Sequence, residues 1–409
     1  MTSVEADRRL DGDGDGTSGR SDPDAGDPAA GRVAEMHRHA RRGLLLAGAF
    51  VVAGLAGAVA PHRTGSWLPL HLFLVGALTT AISTVTQVLA VTWSAAPAPP
   101  RWRVELQRWT LGIGATLVMV GREARVTAIT VGGAVLVGAG VALLAVLLLG
   151  IRRTVRTPRF VPAVDAYLAA IAAAIVGIGL GARLASGASL ATRDAHLVLN
   201  VFGFVGVVVA GTLPYFVATQ ARMKMATGAT PARIRAITGT LSGAAAAAAL
   251  AASADHRDLA ALALVGYAFG VGALLTVIPR PARRQLAWAG PRLVQLGAGI
   301  AWWIAMTLWL ALTWWRADVD RPVLLALAVA GYGQILAASV AYLVPVVRGG
   351  GHARLTAGFQ QTRSWTGLAL GNAAGVTAVL GRVTLTGVVV GLWAADAAWR
   401  LRPTRETGR

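Results

Sequence analysis

Between Gly43 and Arg400 the chain is a succession of long apolar runs separated by short, Arg-bearing connections, and that alternation leaves few folds open. A helix rises 1.5 Å per residue, so about 20 apolar residues cross a hydrocarbon core of roughly 30 Å. The pattern predicts twelve such spans, at about 43–60, 67–94, 107–121, 126–151, 163–185, 194–219, 232–253, 258–279, 287–314, 322–347, 364–381 and 383–400. The third is the shortest. With 55% hydrophobic and only 14% charged residues over 409 positions, a soluble fold is excluded. The expected class is all-α, a polytopic membrane bundle of about 12 transmembrane helices.

The distribution of charge orders this bundle. Net charge is +19, but the 38 basic residues, of which only Lys224 is a lysine, fall in small groups between spans rather than in one patch. That is a topology signal, so no nucleic-acid partner is expected. Every second connection is rich in arginine: 101–108, 152–159, 222–235, 280–284, 348–363 and 400–409. The alternate connections are poorer or carry acids beside their arginines, as at Glu123, Asp194, Asp318 and Asp320. The expected location is therefore the cell (cytoplasmic) membrane, multi-pass, with both termini in the cytoplasm. Trp67, Trp93, Trp102, Trp109, Trp314, Trp315, Trp365 and Trp399 fall near span ends, where amphipathic rings prefer the headgroup level. Three segments follow. Residues 1–42 form an acidic, disordered tail and a basic collar, 43–400 the membrane domain, and 401–409 a short basic tail. The tail is not expected to be a signal peptide, since no apolar stretch follows a basic start.

Chemistry must come from few residues. The chain has no cysteine and seven histidines, so a metal would rest on His, carboxylate, Tyr or Met. His37 and His39 in the collar, and His62, His256 and His352 in loops, are expected to be solvated. His71 and His196 are different. Each stands about one turn into a span that runs inward from the outer side, which places the two imidazoles at similar depth below the outer surface. Asn200 follows His196 by four residues and so shares its helical face, and Gly203, Gly206 and Gly211 allow close approach there. Two neutral imidazoles at one depth suit haem iron or copper. They also suit plain hydrogen bonding between helices. The partners expected behind them are Asp194, Asn200 and Tyr332. Asp165, Arg183, Arg292, Asn372 and Asp396 lie near span ends, where Arg reaches the headgroups and Asp meets water. No nucleotide loop, nucleophile elbow or HExxH motif is present.

Three stretches carry a resemblance: HLFLVGALTTAI, AHLVLNVFGFVGVVVAGTLPYFVATQARMKM and GYGQILAASVAYLVPVVRGGG. They resemble the membrane region of actinobacterial proteins labelled copper oxidases, itself similar to the NnrS-type and haem–copper oxidase subunit I group. The resemblance implies a twelve-helix bundle. It implies His71 as an outer-leaflet haem ligand on helix two, and His196 as a metal-associated residue on helix six. The departures bear on activity. Spans seven and ten carry none of the further histidines that oxygen reduction requires in that group. Gln87 and Val88 stand where relatives carry a second histidine late in helix two, and a cupredoxin domain is missing. The expected function is an integral membrane haem- or copper-binding protein in redox, nitric oxide or copper handling, with a redox partner protein. The alternatives are a small-molecule or ion transporter with a His-lined cavity and a structural membrane subunit.

Overall fold

The computed structural model describes residues 28–59, 64–317, 321–349 and 351–402. The acidic tail, His62, Arg63, Asp318, Asp320 and the last seven residues lie outside them. Among the described residues every regular element is helical. The long helices are α1 (Pro28–Val59), α2 (Trp67–Ser94), α3 (Arg101–Ala124), α4 (Thr127–Arg153), α5 (Val161–Ala185) and α6 (Leu190–Gln220). They continue with α7 (Pro231–Ser253), α8 (Arg257–Leu274), α9 (Pro291–Trp315), α10 (Arg321–Arg348), α11 (Trp365–Val379) and α12 (Val383–Arg400). Nine of these are long and apolar enough to cross a membrane. The other three, α3, α11 and α12, are shorter or more charged and pack beside them. The chain is an all-α, multi-pass membrane bundle.

Local chemistry sets the helix borders. Ser189, Thr230 and Ser364 cap α6, α7 and α11 by accepting from the backbone N–H three residues on, at 3.3, 3.2 and 2.7 Å. Pro162, Pro231 and Pro291 sit in first turns, where the missing N–H has no intrahelical role. The basic collar is not a loop: it forms the first turns of α1. His39, expected to be solvated, is only 5% exposed there, 3.6 Å from Glu35 and 4.0 Å from Glu105.

Packing reveals an organisation that no sequence repeat announces. The helices form three groups of four, α1–α4, α5–α8 and α9–α12, and in each the first packs on the second while the third and fourth form a hairpin. The fourth helix of each group packs on the first of the next: α4 on α5, α8 on α9 and α12 on α1. This closes a ring around α2, α6 and α10. Their most apolar windows are 61, 72 and 61% buried, against 33–50% for the other six spanning helices. All three contain a π-helical stretch, Leu72–Leu78, Leu199–Gly206 and Leu327–Gly333, in the half nearer their N-terminal ends. A π turn loosens the regular hydrogen-bond ladder and leaves carbonyls to outside donors. In α6 those donors are tyrosines: Tyr332 of α10 donates to the Val201 carbonyl and Tyr267 of α8 to the Phe202 carbonyl, each at 3.0 Å.

The α3–α4 hairpin is held by glycines spaced seven residues apart on both helices, Gly114 and Gly121 on α3 and Gly133 and Gly140 on α4. An added Cβ at Gly114 would lie 2.6 Å from the Val137 nitrogen, at Gly121 2.5 Å from the Thr130 nitrogen, and at Gly133 2.5 Å from the Val118 nitrogen. These contacts are with backbone, which cannot yield as a side chain can. Gly133→Leu is therefore expected to destabilise the protein by about 1–3 kcal/mol, as overpacking does. Gly132→Leu, where nothing lies within 4 Å of the new Cβ, is expected to leave thermal unfolding in detergent unchanged. Equal midpoints for the two variants would refute this account of the hairpin.

Candidate functional site

His71 ends the first α-helical stretch of α2, one residue before the π turn begins. Its ring stacks on Trp67, with centroids 4.0 Å apart and planes 22° from parallel. Its Nδ1 lies 2.9 Å from the Trp67 carbonyl. A carbonyl only accepts, so Nδ1 carries the proton and Nε2 keeps its lone pair. The local sequence explains the pose. Trp67 and His71 are four residues apart on one helical face, and the ring folds back toward the N-terminus of its own helix.

His196 arrives at the same chemistry by a tertiary route. Its Nδ1 lies 2.7 Å from the carbonyl of Gly177 on α5. Asn200 donates its amide to the His196 carbonyl at 2.7 Å, while its 3.2 Å approach to Nδ1 sets two donors side by side and is not a hydrogen bond. With Nδ1 protonated toward Gly177, Asn200 positions the ring's edge rather than bonding it. The seat for both side chains is a glycine pair. A Cβ on Gly181 would lie 2.8 Å from the His196 ring, and one on Gly177 would collide with the Asn200 amide. Gly177 and Gly181 are one turn apart, so α5 presents a flat strip to this part of α6.

His196 and Arg122, at the end of α3, both lie within electrostatic range of His71. The structure gives His71 and His196 the same anchoring, each through Nδ1 and each with Nε2 as an electron-pair donor. This is the protonation pattern of an imidazole that ligates iron or copper, since a carbonyl acceptor on the far nitrogen fixes tautomer and orientation. Among the described residues no group of three or more His, Asp or Glu converges. A site here would therefore be of the two-imidazole kind.

The other expected partners stand elsewhere. Asp194, 1% exposed, takes two hydrogen bonds from Arg257 at 2.6 and 2.9 Å and lies 3.1 Å from the Arg193 guanidinium. It ties α6 to α8 and does not touch either ring. Tyr332 serves the π-turn carbonyl of Val201, beside Tyr267 and Trp303. Asn200 alone of the three contacts a histidine.

Sequence reasoning missed Trp67, Gly177 and Gly181 as parts of the site. The signal for the glycines was the GIGLG run of α5, which spacing alone could not assign to a neighbour, and that for Trp67 was its four-residue spacing from His71. It also missed a second polar patch, on the Arg-rich face. There Ser83 of α2 donates to Gln107 of α3 at 2.9 Å, Gln87 donates to the same oxygen at 3.3 Å, and Gln107 donates to the Gly140 carbonyl at 3.0 Å. With His39 and Arg108, Gln87 and Gln107 line a small cavity.

Compared with known families and with characterised proteins, the chain matches no family model and no curated relative.

Tyr332→Phe removes the donor to a buried π-turn carbonyl, so it is expected to cost about 1–3 kcal/mol, the penalty of an unsatisfied buried acceptor. The thermal midpoint of the purified variant measures this. An unchanged midpoint would mean that Val201 finds another donor.

Proposed function

We propose that the chain is an integral membrane haem- or copper-binding protein, with His71 and His196 as the ligating residues and Asn200 as the residue that orients His196. The observation that carries this reading is the shared anchoring of both rings: each meets a main-chain carbonyl through Nδ1, at 2.9 and 2.7 Å, and keeps Nε2 for a metal. Trp67 supports it by holding His71 in place. A bound haem or copper would supply one-electron chemistry or reversible binding of a small ligand, with a role in redox, nitric oxide or copper handling alongside a redox partner protein. The protein's own part is to hold two imidazoles in one tautomer at one depth and to keep bulk water away.

Purified protein is expected to carry a Soret band or stoichiometric copper, and both His71→Ala and His196→Ala are expected to lose it. The reading fails if both variants retain metal equal to wild type.

We propose further that all twelve long helices cross the cytoplasmic membrane, α3, α11 and α12 included, which puts both termini in the cytoplasm. A chain without cysteine is its own background for single-cysteine labelling. In intact cells an impermeant maleimide is expected to label Ser186→Cys, between α5 and α6, and to spare Thr227→Cys, between α6 and α7. The reverse pattern would invert the orientation.

A transporter is the second reading, favoured by the buried patch of Ser83 and Gln87 on α2 with Gln107 on α3. It predicts substrate flux in proteoliposomes of protein free of metal.

A further inference from the structure

Arg292 lies in the first turn of α9, where an arginine would be expected to reach the headgroups. It is instead 2% exposed. Its Nε donates to the Ala289 carbonyl at 3.2 Å, and its guanidinium carbon stands 4.7 Å from the Phe359 ring centroid and 6.0 Å from that of Tyr342. Its Nη1 is buried without a hydrogen-bond partner. One turn further on the same face, Gln295 is 6% exposed and its Nε2 is likewise buried and unpartnered. Arg363, which precedes α11, gives Nη2 to the carbonyls of Ala287 and Trp288, leaving a buried, unpartnered Nε. Arg292 and Arg363 are within electrostatic reach of each other. The Arg363 side chain lies against Gly290, whose φ of +62° and bare Cα let the guanidinium approach the turn into α9.

Among the described residues no carboxylate answers these charges. The sequence has no Asp or Glu at 195–254, 259–317 or 321–395, so α7, α9, α10, α11 and the loops between α6 and α7 and between α10 and α11 supply none. Asp396 of α12 is held by Ser364 at 2.5 Å and Arg400 at 2.9 Å. The buried orphan acceptors on adjoining helices, Gln220 Oε1 and Gln285 Oε1, are neutral amide oxygens and cannot balance two guanidiniums. Burying a cation without a counter-charge is costly, and a set of orphaned donors is what an oxyanion satisfies. Trp288, beneath the Arg222 guanidinium at 3.7 Å, marks this region as the headgroup level.

We propose that Arg292, Gln295 and Arg363 form an anion site for a phosphate group, on the face where α6 ends and α9 begins. The phosphate comes from an anionic phospholipid headgroup or from a soluble phosphate, and the same three donors read either. The site is independent of the histidine pair.

The full chain is reconstituted in nanodiscs of phosphatidylcholine, of phosphatidylcholine with phosphatidylglycerol, and of phosphatidylcholine with added inorganic phosphate. The unfolding midpoint is read in each. Wild type is expected to be stabilised by phosphatidylglycerol if the source is lipid, and by inorganic phosphate if it is soluble. Arg292→Gln is expected to bind the stabilising anion about tenfold more weakly, the loss of one charge-assisted hydrogen bond, and so to lose most of the rise. Arg363→Gln, at a partly exposed position, is expected to do the same and serves if Arg292→Gln does not fold. Arg283→Gln, exposed on the neighbouring short helix, is expected to retain the full rise. The proposal is overturned if neither anion stabilises wild type, if Arg363→Gln responds as wild type does, or if Arg283→Gln loses as much as the other two.

Discussion

Hydrocarbon offers no hydrogen bonds, so a polar group carried into the bundle needs an answer from the chain or from a bound group. Most of the packing follows from that one demand. Buried hydroxyls turn back on their own helices, as Thr86 does to Ile82 at 2.8 Å and Thr307 to Trp303 at 2.7 Å. Carbonyls loosened by the π turn of α6 are met by Tyr332 and Tyr267 from two other helices. The carboxylate of Asp194, nearly closed to solvent, is met by Arg257 from the end of α8. The tyrosine and arginine bonds join helices separated in sequence, and they converge on α6, the most buried of the spanning helices.

The histidine pair is one more solution of the same demand. An imidazole brought inside must lodge at least one nitrogen, and both rings do so with a main-chain carbonyl. The difference lies in where the carbonyl comes from. His71 uses the preceding turn of its own helix, so its pose is local and was foreshadowed by the spacing of Trp67 and His71. His196 uses Gly177, nineteen residues earlier on a different helix, so its pose exists only once α5 and α6 are packed.

That distinction also separates what the sequence disclosed from what it withheld. Length, apolarity and the alternation of arginine disclosed the class of fold and the approximate borders of the spans, because the bilayer imposes those on any chain that crosses it. Even the short third run was there to be seen, although α3 extends to Arg101–Ala124 by adding charged turns at both ends. The three-group ring was hidden, since it is a repeat of packing relations and not of residues. The π turns were hidden too: an extra residue in an apolar helix leaves no compositional mark. The burial of His39 and of Arg292 was missed for a common reason. Both sit near span ends, where exposure is the default, and only tertiary contacts from α3 and from the segment after α10 close over them.

The π stretch in α2 has a mechanical consequence. One additional residue in a helical turn rotates everything beyond it by about 100° relative to an unbroken helix. The N-terminal end of α2, with His71, and its C-terminal half, with Ser83 and Gln87, are therefore aimed by separate decisions: the first within electrostatic range of His196, the second toward Gln107. Excision of a single residue between Leu72 and Leu78 would keep every side chain of α2 beyond the cut, yet it would swing one end of the helix against the other. A length change of one residue in that stretch is thus a change of azimuth, and no point substitution is equivalent to it.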